Sequence, residues 1–289
     1  MSVPQPLTGL SVIADRYDVI LCDVWGVVHD GKVPFVRSVA ALHRFVEVGG
    51  TVVLISNSPR PRGSFTTQLD EIGVDRAAWS AVVTSGDATR AELTKRAPGP
   101  AWRVGPERDA GIYEGTGVEL TDDLSEAAFI SCTGLFDDAN DQPEDYREGF
   151  ADCARRGLEM VCANPDKVVH RGRDLIWCAG ALADVYAALG GPVIMAGKPF
   201  SAIYDLALKE AGEALGRTPD KARVLAIGDG LPTDVLGANR QGLDCLFVAG
   251  GIHGDELMTA EGRLDPDKAA ALLAQAGAQA RYVLKELIW

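Results

Sequence analysis

Short apolar runs alternate with longer amphipathic stretches through the first third of the chain. Residues 17–22 (YDVILC), 51–55 (TVVLI) and 81–84 (AVVT) each have the apolar character of a buried strand. Near-continuous hydrophobicity marks strands covered on both faces, which is the habit of parallel sheets. Between these runs, residues 36–48 repeat apolar side chains at helical spacing, with Val39, Leu42, Phe45 and Val46 on one face. Gly49-Gly50 stops that helix, and Ser56-Asn57-Ser58-Pro59 breaks the strand that follows. Residues 64–72 and 87–96 read as two further helices. A β-α-β-α-β-α succession predicts a parallel sheet with right-handed crossovers.

Ala97-Pro98-Gly99-Pro100 interrupts this order and reads as a hinge. Beyond it, residues 102–104, 127–132 and 158–163 read as strands and 145–156 and 180–189 as helices, up to Gly190-Gly191-Pro192. The first pattern then resumes: a helix over 200–215, a strand over 222–227, a helix over 233–241 and a strand over 244–248. The Ala-rich stretch 269–280 predicts a last helix. An α/β fold accounts for this most simply. Residues 1–98 and 192–289 form a discontinuous, doubly wound parallel-sheet core, and 99–191 form an inserted α/β cap. A chain of 289 residues is long enough for two such domains.

Composition narrows the partners. The chain is 47% hydrophobic and 24% charged, with a formal net charge of -13. That sign disfavours nucleic acid and anionic membranes, and an anionic ligand would need a local positive site. The six cysteines form no C-x-x-C pair and mostly lie in apolar runs, as small buried residues of a reducing compartment do. The first residues lack the basic and apolar regions of a secretory signal, and no apolar run has the length of a membrane span. A cytoplasmic location is the expectation.

Five polar residues stand where apolar runs stop. Asp23 follows the first strand and Ser56 the second; Lys198 follows Val193-Ile194-Met195-Ala196; Asp229 and Asp234 follow the strand over 222–227. Each has an ordinary structural reading alone, as a helix cap, a turn former or a solvated lysine. Together they supply a carboxylate nucleophile, a hydroxyl and a cation for phosphate, and further acids for a hard divalent metal.

In this order the motifs resemble the haloacid dehalogenase (HAD) superfamily, and its class IIA, NagD-like branch in particular. Asp23-Val24-Trp25-Gly26-Val27 matches the first motif and Ile55-Ser56-Asn57-Ser58 the second. Gly197-Lys198-Pro199 matches the third, and Gly228-Asp229-Gly230-Leu231-Pro232-Thr233-Asp234 the fourth. Asn164-Pro165-Asp166 and Cys178-Ala179-Gly180-Ala181 are similar to the cap of that class. The resemblance spans nearly the whole chain. It implies that Asp23 attacks phosphorus and becomes an aspartyl phosphate, with Lys198 as its catalytic partner. It implies Mg²⁺ held by Asp23, by the backbone carbonyl of Trp25 and by Asp229, with Asp234 supporting the metal indirectly. Ser56 and Asn57 would bind phosphate or substrate, and Asn164, Pro165 and Asp166 would contact the substrate from the cap. Lys167, His170, Arg171 and Arg173 make the adjoining stretch locally basic. The implied partner is a small phosphorylated metabolite, and the cap surfaces of this branch suggest a homodimer.

Position 25 departs from the motif. Hydrolytic members carry there a second Asp that protonates the leaving oxygen and then activates water, help worth about 10²–10⁴-fold. Tryptophan offers only an indole N–H donor. A carbonyl ligand from residue 25 survives this change; turnover is what it threatens. His29 and Asp30 are the nearest other groups that could activate water. Two functions stay open: a Mg²⁺-dependent phosphatase with weakened acid-base help, and an impaired protein that binds a phosphorylated metabolite as a sensor.

Overall fold

The computed structural model describes residues 3–171, 174–254 and 256–289. The chain begins with β1 (Gln5–Pro6), β2 (Val19–Asp23), α1 (Val36–Glu47), β3 (Thr51–Ser56), α2 (Arg62–Ile72), β4 (Ala81–Thr84) and α3 (Ser85–Thr94). Next come β5 (Ala101–Val104), β6 (Leu120–Thr121), β7 (Phe129–Cys132), α4 (Arg147–Arg155), β8 (Glu159–Cys162), β9 (Val168–Arg171), β10 (Asp174–Trp177) and α5 (Ala179–Ala188). The last part holds β11 (Val193–Met195), α6 (Ser201–Leu215), β12 (Val224–Gly228), α7 (Leu236–Gln241), β13 (Asp244–Val248), α8 (Pro266–Gln275) and β14 (Tyr282–Leu284). No helix among the described residues is long and apolar enough to cross a membrane.

Contacts divide the chain into two compact units, one of residues 1–56, 63–83 and 198–289 and one of 57–62 and 84–197. The first is built on a seven-stranded sheet in the order β1-β14-β13-β12-β2-β3-β4. Its central strands β12, β2 and β3 run parallel and are buried throughout, as their uninterrupted apolar runs require. α1 covers the sheet with Val39, Ala41, Leu42 and Phe45, which join Ile20, Val52, Leu54 and Ile227 in one core.

The second unit has its own parallel sheet, in the order β11-β8-β7-β5-β6, and an antiparallel hairpin of β9 and β10. Alternate residues of its strands feed opposite faces. Trp102, Ile130 and Met160 pack with Phe150 of α4 and Leu182 and Tyr186 of α5. Ala101, Phe129 and Val161 pack with Leu93 of α3. That contact explains why α3, assigned by sequence to the residues before 98, groups with the second unit.

Several boundaries differ from expectation. The last helix ends at Gln275 and not at residue 280, because Gly277 takes a φ of +63° that favours glycine. The residues beyond it turn into β14, a strand too short to stand out in the sequence. The helix expected from residue 233 begins as a π-helical turn, Leu231–Val235, before α7. Arg173 lies outside the described residues.

Candidate active site

Strand order places the chemistry. From β2 the chain moves to β3 on one side, whereas from β12 it moves to β13 on the other. The crevice beyond the carboxyl ends of β2 and β12 is therefore a topological switch point, where open α/β sheets bind ligands. Asp23 pairs in register with Ile55, one residue before Ser56, and Cys22 pairs with Ile227, two residues before Asp229. Three neighbouring strands thus deliver Ser56, Asp23 and Asp229 to one edge. The fourth motif folds back on itself there: the Gly230 amide donates to Asp234 Oδ2 at 2.9 Å.

Lys198 joins this edge. It is 2% exposed, and its Nζ donates to Asp23 Oδ1 at 2.5 Å and to Asp234 Oδ1 at 2.7 Å. One oxygen from each of Asp23, Asp229 and Asp234 can lie within 4.8 Å of the others. This all-carboxylate set suits a hard divalent cation such as Mg²⁺, which prefers oxygen donors. Burial pushes the Asp23 carboxyl well above its ordinary range; the Asp234 and Asp229 charges add to this and Lys198 opposes it. Burial and then Asp234 push Asp229 up to about 6, against the Ile252 amide and Lys198. For Lys198, burial favours the neutral amine, but the Asp23 and Asp234 charges outweigh it and keep the ammonium.

Two glycines make room for Asp229. A Cβ on Gly26, whose φ is +81°, would lie 2.2 Å from Asp229 Oδ2, and one on Gly251 would lie 2.0 Å from it. The Ile252 amide donates to the same oxygen at 2.9 Å. The sequence reading did not include Gly26, Gly251 or Ile252 in the site. It also passed over Tyr204, a buried residue of α6 whose hydroxyl sits beneath Gly237 and whose ionisation burial and Asp234 suppress. The Gly250-Gly251 pair just after a strand was the available signal.

The residues after Asp23 form a tight flap in which the Gly26 amide donates to the His29 carbonyl and the Phe35 amide to the Val28 carbonyl. Trp25 is 59% exposed. Its indole meets the His29 ring edge to face, with centroids 5.4 Å apart and planes at 79°. His29 is 2% exposed, its Nδ1 accepts from the Gly31 amide at 2.8 Å, and burial lowers its pKa. Asp30 Oδ1 accepts from the Lys32 and Val33 amides, both at 2.9 Å. Both groups serve the flap's own geometry.

Within the second unit, the expected contact residues lie together. Asn57 Nδ2 donates to Asp166 Oδ1 at 3.4 Å, and Asn164 Oδ1 accepts from the Asp166 amide at 2.9 Å. A Cβ on Gly197 would meet Asn57 Oδ1 and Pro165 Cδ, each at 2.6 Å. Gly180 lets the start of α5 approach the Pro165 carbonyl, where a Cβ would lie 2.2 Å away. Lys167 forms an ion pair with Asp184.

Residues 20–119 match the family described as haloacid dehalogenase-like hydrolase, and residues 195–276 match a HAD-hydrolase-like family. A crystal structure of a haloacid dehalogenase-like family hydrolase from Brucella suis 1330 is 44% identical, covering 99% of this chain and 100% of that one with a TM-score of 0.80. The D-glycerol 3-phosphate phosphatase of Mycobacterium tuberculosis is 26% identical over 249 residues, covering 83% of this chain and 65% of that protein. This chain therefore spans just under two thirds of the mycobacterial relative. The ribonucleotide monophosphatase NagD of Escherichia coli is 26% identical over 237 residues, covering 81% of this chain and 88% of that one.

Proposed function

Because the chain belongs to the haloacid dehalogenase-like hydrolase family, in its NagD-like class IIA branch, we propose that it is a Mg²⁺-dependent phosphatase of a small phosphorylated metabolite. The observation that carries this reading is the buried cluster of Asp23, Asp229, Asp234 and Lys198 at the switch point. Four ionisable groups have no packing reason to converge there, and burying them is costly.

Asp23, the Trp25 carbonyl and Asp229 would hold Mg²⁺, with Asp234 behind them. Bound there, the metal neutralises charge on the phosphoryl oxygens and keeps the carboxylates ionised. An Asp23 oxygen bonds to phosphorus as the ester P–O bond breaks and its electron pair leaves with the substrate oxygen. That oxygen then takes a proton. Water attacks the aspartyl phosphate at phosphorus, frees inorganic phosphate and restores the Asp23 carboxylate. Lys198 and Ser56 bind the phosphoryl oxygens, and Asn57, Asn164, Pro165 and Asp166 are assigned to substrate binding. Trp25 can neither give nor take these protons, so solvent carries them and turnover falls by about 10²–10⁴-fold relative to an acid at that position.

A screen of phosphorylated metabolites with Mg²⁺ tests this: turnover appears with the wild type, disappears with chelator, and Trp25→Asp raises kcat by about a hundredfold or more. The packing of Trp25 on the flap favours a second reading, a metabolite sensor. Tight binding of a phosphorylated metabolite with no turnover, even in Trp25→Asp, would establish that reading instead.

A further inference from the structure

We infer that Trp25 selects the leaving group, favouring phosphate monoesters whose organic part carries a planar aromatic ring close to the ester oxygen. The inference rests on the phosphatase reading and narrows its substrate class. Trp25 lies two residues beyond Asp23, so their backbones are separated by about 7 Å at most. An indole is long enough, from that backbone position, to span to the space beside the Asp23 carboxylate that a leaving group would enter.

Trp25 is the most exposed of the five tryptophans, at 59%, so most of its surface is open. Exposed aromatic side chains are ordinarily mobile, but this one is held. A Cβ on Gly31, where φ is +90°, would lie 2.1 Å from Trp25 Cη2, so the far edge of the indole abuts a bare Cα. The His29 ring also packs against it and is itself fixed by the Gly31 amide on Nδ1. A ring that served only to pack the flap would be covered by it. A ring held at its far end yet still mostly exposed is instead a preorganised stacking platform, indifferent to substituents and selective for planarity. Stacking on such a platform is worth roughly ten- to hundredfold in affinity.

Benzyl phosphate and cyclohexylmethyl phosphate both release a primary alcohol and differ chiefly in the planarity of the ring. With Mg²⁺ present, the wild type should show a kcat/KM for the benzyl ester about tenfold or more above that for the cyclohexylmethyl ester. Trp25→Leu should bring the ratio towards one, and Trp25→Phe should keep most of it. Equal turnover of both esters by the wild type, or an unchanged ratio in Trp25→Leu, overturns the inference while leaving the phosphatase reading intact. Should neither ester be hydrolysed, calorimetry with the matching benzyl and cyclohexylmethyl phosphonates decides it. A preference for the benzyl compound that Trp25→Leu removes sustains the platform without catalysis; equal affinities overturn it.

Discussion

Asp18 and Asp23 stand at the two ends of β2, and folding moves their carboxyls in opposite directions. Asp18, just before the strand, accepts from Arg223 Nε at 2.9 Å and Nη2 at 2.7 Å and also pairs with Arg217. Hydrogen bonds from Arg223 and then Arg217 hold its carboxyl down at about 2. Asp23 ends the strand inside the protein, where burial and two neighbouring carboxylates push it up. One end of the strand carries an ion pair that supports the fold; the other carries charges that the fold must hold against their repulsion. Three carboxylates gathered on one lysine at a carboxyl-end crevice are a mark of function, and matched charge at the opposite end of the strand is a mark of stability.

Asp23→Asn separates the two ends most widely. Turnover should fall by on the order of 10³-fold or more. Metal-free Asp23→Asn should meanwhile unfold at higher urea than the wild type, because one of three clustered like charges is gone. A lower midpoint would mean that the Asp23–Lys198 pair outweighs the repulsion. Lys198→Met leaves Asp23 and Asp234 without their shared cation and should lower stability by about 3–5 kcal/mol in chemical denaturation. Added Mg²⁺ should recover part of that loss, since a ligand that binds only the folded state stabilises it.

Asp23, Lys198 and Asp229 were legible in the sequence because each stands within two residues of the end of an apolar run, and a strand's end has a defined place in a parallel sheet; Asp234 was legible through its spacing from Asp229. The glycines at 26 and 251 were not, since their role is to leave room for Asp229, and a close approach between distant segments leaves no periodic trace. β14 was hidden for a related reason: three residues, Tyr282–Leu284, are too short a run to signal a strand until β13 pairs with them. The placement of α3 was equally tertiary, decided by Leu93 against Phe129 and Val161.

Smaller effects sharpen the comparison. Asp166→Ala removes a partner of Asn57 and should raise KM several-fold, acting less on kcat, if this pair contributes binding and not chemistry. A fall in kcat of Asp23→Asn size would move Asp166 into the reacting centre. Asp18→Asn should cost about 1 kcal/mol at neutral pH, because the ion pair is near the surface and screened. A depressed carboxyl stabilises above its ordinary value of 3.8 and loses that contribution as pH falls towards 2, so the gap between Asp18→Asn and wild type should close over that window. Its turnover should match the wild type.

The central claim is that Asp23 accepts the phosphoryl group. Acid-quenched wild-type protein, mixed with Mg²⁺ and a phosphate monoester and digested for mass spectrometry, tests it directly. The account predicts one added phosphoryl group on the peptide containing Asp23, accumulating because Trp25 slows its hydrolysis and absent from Asp23→Asn. Wild-type rates of phosphate release by Asp23→Asn, with no phosphoryl adduct on that peptide in either protein, would contradict it.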